Sequence, residues 1–145
     1  MISLIQIIQK VQAFCDDHKQ IKKFGSDFQE QMQNFATQNE LYPFVYLVPQ
    51  GISPLENTNI YSVDIYCWDI IQKDRANAST ITSDTGLIVL DIYRYIKYGS
   101  DYSYDILNNP IVTPLNNGLL DYTIGHVIRL DIEVDTYCPE DIPLI

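Results

Sequence analysis

Hydrophobic positions along the chain follow two different periods. Leu4, Ile8, Val11 and Cys15, joined by Ile5, Ile7 and Phe14, recur at helical spacing across residues 2–17. Ser3, followed three residues later by Gln6, forms a capping-box pattern that predicts a helix start at Ser3. A second helical stretch, 77–98, places Ile81, Thr85, Ile88, Ile92 and Tyr95 on one stripe, with Asn77 as N-cap and Gly99 as the stop. Elsewhere the period is two. Over 59–71, Tyr61, Val63, Ile65 and Cys67 share one face, and Ile60, Ser62, Asp64, Tyr66, Trp68 and Ile70 the other. At about 3.3 Å per residue this strand would run roughly 43 Å, about twice the usual length. The stretch 124–135 sets Ile124, His126, Ile128, Leu130, Ile132 and Val134 against Val127, Arg129, Asp131, Glu133 and Asp135.

The remaining segments carry weaker patterns. "DDHKQIKKFGSD" leaves the first helix, punctuated by Gly25, Ser26 and Asp27. "FQEQMQNFATQNE" has Phe28, Met32 and Phe35 at helical spacing, but its Gln and Asn content suits a loop nearly as well. "YPFVYLVPQG" reads as a strand between Pro43 and Pro49, and the prolines predict an edge position or an early end. "GISPLENTN" is a turn-rich connection and "SDYSYDILNNP" a polar loop. "IVTPLNNGLLDYT" reads as a strand, an Asn-Asn-Gly turn and a return, and "CPEDIPLI" as an extended tail. The expected fold is α+β, a single domain over 1–145 in the order α-β-β-α-β-β. It has an antiparallel or mixed sheet with helices packed on one face.

A net charge of −10 argues against a protein that grips nucleic-acid backbone, which needs a basic footprint. It suits one that lets DNA slide past without sticking. Cys15, Cys67 and Cys138 are odd in number and far apart, and no signal-peptide pattern opens the chain; the expectation is reduced thiols in a cytoplasm. No apolar run reaches the length of a membrane span.

Candidate chemistry is sparse. Cys15 and His18 bracket a helix end, but a closed zinc site needs four such ligands and no CxxC or second paired histidine supplies them. His126, on the apolar face of its strand, reads as a hydrogen-bonded core or interface histidine rather than a partner for a thiol. Asp131, Glu133 and Asp135 form a carboxylate row that reads as a solvated sheet face. None of the three has the lysine two residues on that a common nuclease pattern requires. Gly-rich phosphate loops and Gly-x-Ser-x-Gly turns are absent. The expectation is no enzyme, no metal and no cofactor. In the crossover "CWDIIQKDRANAS", Asp69, Lys73, Asp74 and Arg75 are expected to pair with one another or with water. Tyr66, Trp68 and Ile70 need cover on the second sheet face, from the Gln-rich segment or from another subunit.

The long strand "YSVDIYCWDIIQKDRANAS" running into "TITSDTGLIVLDIYRYI" resembles the tail-terminator-like and neck ring proteins of tailed bacteriophages, crAss-like phages included. "HKQIKKFGSD", "YPFVYLVP" and "HVIRLDIEVDTYCP" follow in the same order as in that group. The Gln-rich 29–39 segment and the acidic final strand depart from the group's pattern. The resemblance implies a virion structural protein that forms a homo-oligomeric ring, six- or twelve-fold, at the portal–tail junction. Its partners would be the portal and neighbouring neck or tail proteins, with genomic DNA passing through without tight binding. Assembly would take place in the host cytoplasm. On this reading Tyr66, Trp68, Ile70, Lys73, Asp74 and Arg75 are subunit-interface candidates. Asp131, Glu133 and Asp135, or the acidic 101–105 loop, would line the channel. The competing class is a small acidic monomeric binding module, such as a phage-encoded inhibitor of a host protein.

Overall fold

The computed structural model describes residues 3–98, 104–116, 119–120 and 122–135. Helix α1 (Leu4–Asp17) begins where the capping box places it: Ser3 Oγ accepts the Gln6 N–H and Gln6 Oε1 accepts the Ser3 N–H. Strand β1 (Lys23–Ser26) and helix α2 (Gln29–Gln38) follow, then β2 (Phe44–Pro54), β3 (Thr58–Ile70) and α3 (Ala78–Tyr98). Strands β4 (Tyr104–Ile106), β5 (Val112–Leu115) and β6 (Thr123–Asp135) close the described chain. The class is α+β as expected. The order is not the expected α-β-β-α-β-β, because β1, α2 and β4 are added to it. The predicted stop Gly99 and the tail 138–145 lie outside the described residues.

One six-stranded mixed sheet runs β1-β2-β3-β6-β4, with β5 also paired to β6. Strands β3 and β6 are antiparallel over their full length, from Thr58 opposite Asp135 to Ile70 opposite Thr123. Between β4 and β5 the side chain of Asn108 replaces ladder bonds along β6. Its Nδ2 donates to the Arg129 carbonyl and its Oδ1 accepts the Asp131 N–H. Strand β2 does not stop at Pro49. Strand β1 pairs it only through Leu47, so the proline lies past the paired edge, where no ladder donor is required. The register skips Gln50 between Pro49 and Gly51, a bulge that keeps Ile52 opposite Tyr61.

Helices lie on both faces of the sheet, against the expectation of one. On the first face Ile7, Val11 and Cys15 of α1 and Ile88, Val89, Ile92 and Ile96 of α3 bury against the alternating residues of β2, β3 and β6. On the second face α2 supplies Met32 and Ala36 to a smaller core with Phe44, Tyr46, Val48, Tyr66, Trp68 and Leu119. That core covers half of the long strands. Gly25 seats α2 there: a Cβ at this position would come within 2.6 Å of the Phe35 ring and 2.9 Å of Tyr46. Gly125 sits across from Trp68, where a Cβ would stand 1.9 Å from the Cys67 carbonyl oxygen.

Candidate functional site

At the lower end of β3 the chain crosses to α3 through a loop built by its own polar groups. Asp69 accepts the Ile70 N–H at 2.8 Å and Asp74 accepts the Ala76 N–H at 3.0 Å. Asn77 Oδ1 accepts the Gln72 N–H at 2.7 Å, so the expected N-cap spends its side chain on closing the loop. Arg75 adopts φ 61°, a left-handed conformation, and its Nη2 donates to Asn116 Oδ1 at 3.0 Å. Lys73 Nζ lies 5.9 Å from the centre of the Tyr122 ring. Of the two expected partners for these charges, one another or water, the first is not used: among the described residues neither Lys73 nor Arg75 has a carboxylate within 4.0 Å. Burial pushes the Asp69 carboxyl up, the Ile70 N–H opposes this, and the charge of Asp84 adds to the rise.

A groove of about 480 Å³ opens beside this loop, lined by Ile70, Ile71, Gln72, Lys73, Asn77 and Tyr122. Ile70 is 47% and Tyr122 46% exposed. The other two residues of the apolar row are not available in this way. Trp68 is 3% exposed and stacks parallel to Tyr66, with both under the α2 side of the sheet. The second face is thus covered at this level within the chain, by the Gln-rich segment, and only Ile70 of the three faces outward.

Higher on the second face no helix packs among the described residues, and the side chains turn polar. Arg129 grips Asp64 with two bonds, Nε to Oδ1 at 2.7 Å and Nη2 to Oδ2 at 2.9 Å. Gln50 adds a third donor to Asp64 at 2.9 Å. Asp131 accepts the Ser62 hydroxyl at 2.7 Å and Glu133 that of Thr58 at 3.4 Å. The carboxylate row therefore lies on one face, as alternation predicts, but Asp131 and Glu133 are half-buried and bonded rather than freely solvated; Asp135 is exposed. Four carboxylates against one guanidinium leave this surface with a net charge of −3. In the 101–105 loop only Tyr104 and Asp105 are described, and Asp105 accepts the Ile106 N–H within β4.

Sequence reasoning missed one surface. Leu87, Leu90, Arg94 and Tyr98 follow one another at helical spacing on the side of α3 away from the sheet, with Lys97 beside them. Lys97 Nζ sits 5.5 Å from the ring centres of both Tyr93 and Tyr98. The signal was present as an i, i+3, i+7, i+11 spacing opposite the buried stripe.

Both histidines have structural partners, and the two described cysteines are buried. His126 is buried, its Nδ1 3.0 Å from the Thr85 hydroxyl, and burial lowers its pKa. His18 Nε2 lies 3.2 Å from Asp91 Oδ2, which ties the end of α1 to α3. Cys15 is buried, and its thiol is pushed up to about 12 by burial and by the charge of Asp16. The Cys67 thiol is also pushed well above its usual value, by burial first, then by Asp69 and Cys15. Both are free thiols. Among the described residues no group of three potential metal ligands comes together, and no helix is long and apolar enough to cross a membrane.

No protein-family model matches the chain, and no curated protein matches it.

Proposed function

We propose that the chain is a virion structural protein that forms a homo-oligomeric ring at the portal–tail junction of a tailed bacteriophage, around the DNA channel. The family likeness in the sequence suggests this reading. The structural observation that supports it is the uneven cover of the long sheet. One face is closed by α1 and α3, while among the described residues the other is closed over only half its length. Beside the closed half lies a groove with two half-exposed apolar side chains. Apolar groups exposed around a groove mark contact surfaces more often than isolated ones do. The crossover loop, with Lys73, Asp74 and Arg75 at its tip, would dock there against a neighbouring ring component. Trp68 and Tyr66 would support that surface from beneath rather than touch the neighbour. A net charge of −10 fits a ring through which DNA passes without tight binding.

Mass measurement at micromolar concentration, combined with electron microscopy of negatively stained particles, tests the reading. Rings with an open centre are the expected result. Ile70→Asp with Tyr122→Asp should leave the fold intact and remove binding to the neighbouring neck components. A chain that stays monomeric alone and with its co-expressed neighbours would defeat the ring and favour the acidic binding module.

A further inference from the structure

We propose that the outward side of α3 and the open carboxylate face of β3 and β6 are two halves of one contact between copies of this chain. Arg94, Lys97 and Tyr98 of one copy seat against Asp131, Glu133 and Asp135 of the next. The proposal rests on the ring reading and specifies which surfaces join neighbours sideways.

Charge complementarity is the first argument. The chain has nine cationic residues against nineteen acidic ones, yet Arg94 and Lys97 project together from α3. Among the described residues neither has a carboxylate partner, and the nearest acid on the same helix, Asp91, is engaged by His18. Lys97 is held between two tyrosine rings instead. On the other surface the surplus is negative, because a single guanidinium, that of Arg129, is already spent on Asp64.

Placement is the second. Ile96 of α3 and Ile132 of β6 line the same small void under the helix. Ile132 lies between Asp131 and Glu133, whose side chains leave the opposite face of the sheet. The cationic stripe and the carboxylate row therefore stand at one level of the molecule, on opposite sides of a helix-on-sheet layer. They cannot meet within one copy. A two-fold dimer through either surface would set like charge against like. Only a head-to-tail contact satisfies both, and repetition of such a contact closes into a ring or runs on as a filament. Equal height favours copies set side by side over copies that climb. Leu87 and Leu90 on one surface and the half-buried Ile60 on the other supply the apolar part. This assignment takes the carboxylate row away from the channel wall, consistent with the half-burial of Asp131 and Glu133.

Two charge reversals test it: Arg94→Glu with Lys97→Glu on α3, and Glu133→Lys with Asp135→Lys on β6. Circular dichroism checks that each variant folds, and sedimentation velocity at low and high salt reads assembly. The expected result is wild-type assembly that weakens with salt, and a loss of about tenfold or more in association for either reversed chain alone. Mixing the two reversed chains should restore assembly, because each then offers the other an opposite charge at both surfaces. A wild type that assembles while both reversed chains assemble equally well overturns this contact and leaves the ring reading standing. A wild type that is monomeric in every condition, alone and with its co-expressed neighbours, overturns both. Salt-sensitive binding of a short DNA duplex that disappears with Arg94→Glu and Lys97→Glu would assign the stripe to nucleic acid and overturn the proposal.

Discussion

Replacing Arg129 by methionine isolates the ion pair at the centre of the open sheet face. Asp64 is 6% exposed and receives three donors, two of them from Arg129. The substitution keeps a long apolar stem across the face and leaves the carboxylate with Gln50 alone. Stripping one partner from a fully buried pair costs about 3–5 kcal/mol. The Arg129 side chain is 59% exposed, so water can enter the vacated position, and the discounted expectation is about 2 kcal/mol. For a chain of this size that lowers the melting temperature by about 4–8 °C. Asp64→Leu in the same background removes the stranded charge and should recover most of the loss, with a coupling of about 1–2 kcal/mol. Urea unfolding followed by fluorescence is the assay, because Trp68 is the single tryptophan and is buried against Tyr66. A cost below about 0.5 kcal/mol for Arg129→Met, or a double variant as unstable as the two single losses added, would refute the reasoning.

Gly125→Ala should destabilise by about 3 kcal/mol or more in the same assay, since the new methyl group meets backbone rather than a movable side chain. Asp69 carries a raised pKa, so its charge opposes folding above that pKa; Asp69→Asn should raise the melting temperature at pH 7 and have little effect at pH 3. Cys15 stays protonated in the fold to about pH 12 while the unfolded thiol ionises near 9. Stability is therefore full well below pH 9 and falls as the pH rises through it, and Cys15→Ala should reduce that fall by about 1 kcal/mol between pH 9 and 10. His126 has a lowered pKa, so stability is full above the unfolded value near 6.5 and falls as the pH drops below it; His126→Gln should flatten that limb in thermal melts.

The parts of the fold legible in the sequence are those written in local pattern. The capping box at Ser3, the thirteen alternating residues of β3 and the alternation of β6 each specify an element and its buried face. Strand β1 was not legible: four residues, none of them fully buried, owe their conformation to the parallel backbone of β2. Helix α2 buries only Met32 and Ala36, too little apolar periodicity to outweigh its glutamines. That helix decides what covers Trp68, so the division of the second face into a closed and an open half could not be read either. Around the crossover, the identity of the polar residues was informative and their partners were not. Arg75 bonds an asparagine forty-one positions away, and Asn77 turns back to Gln72.

The bulge at Gln50 also bears on how this chain can change in length. Along a paired strand, gaining or losing one residue normally turns every later side chain to the wrong side. At this point the sequence already carries one residue more than its partner strand, with Pro49 opposite Val63 and Gly51 opposite Ser62. Deleting Gln50 would leave both pairings in place and would keep Ile52 beside Tyr61 and Ser53 beside Ile60, at the loss of one donor to Asp64. The deletion that a regular strand could not survive is here a return to regularity. Length variants among natural relatives of this chain should accumulate at this position and be purged from the rest of β2.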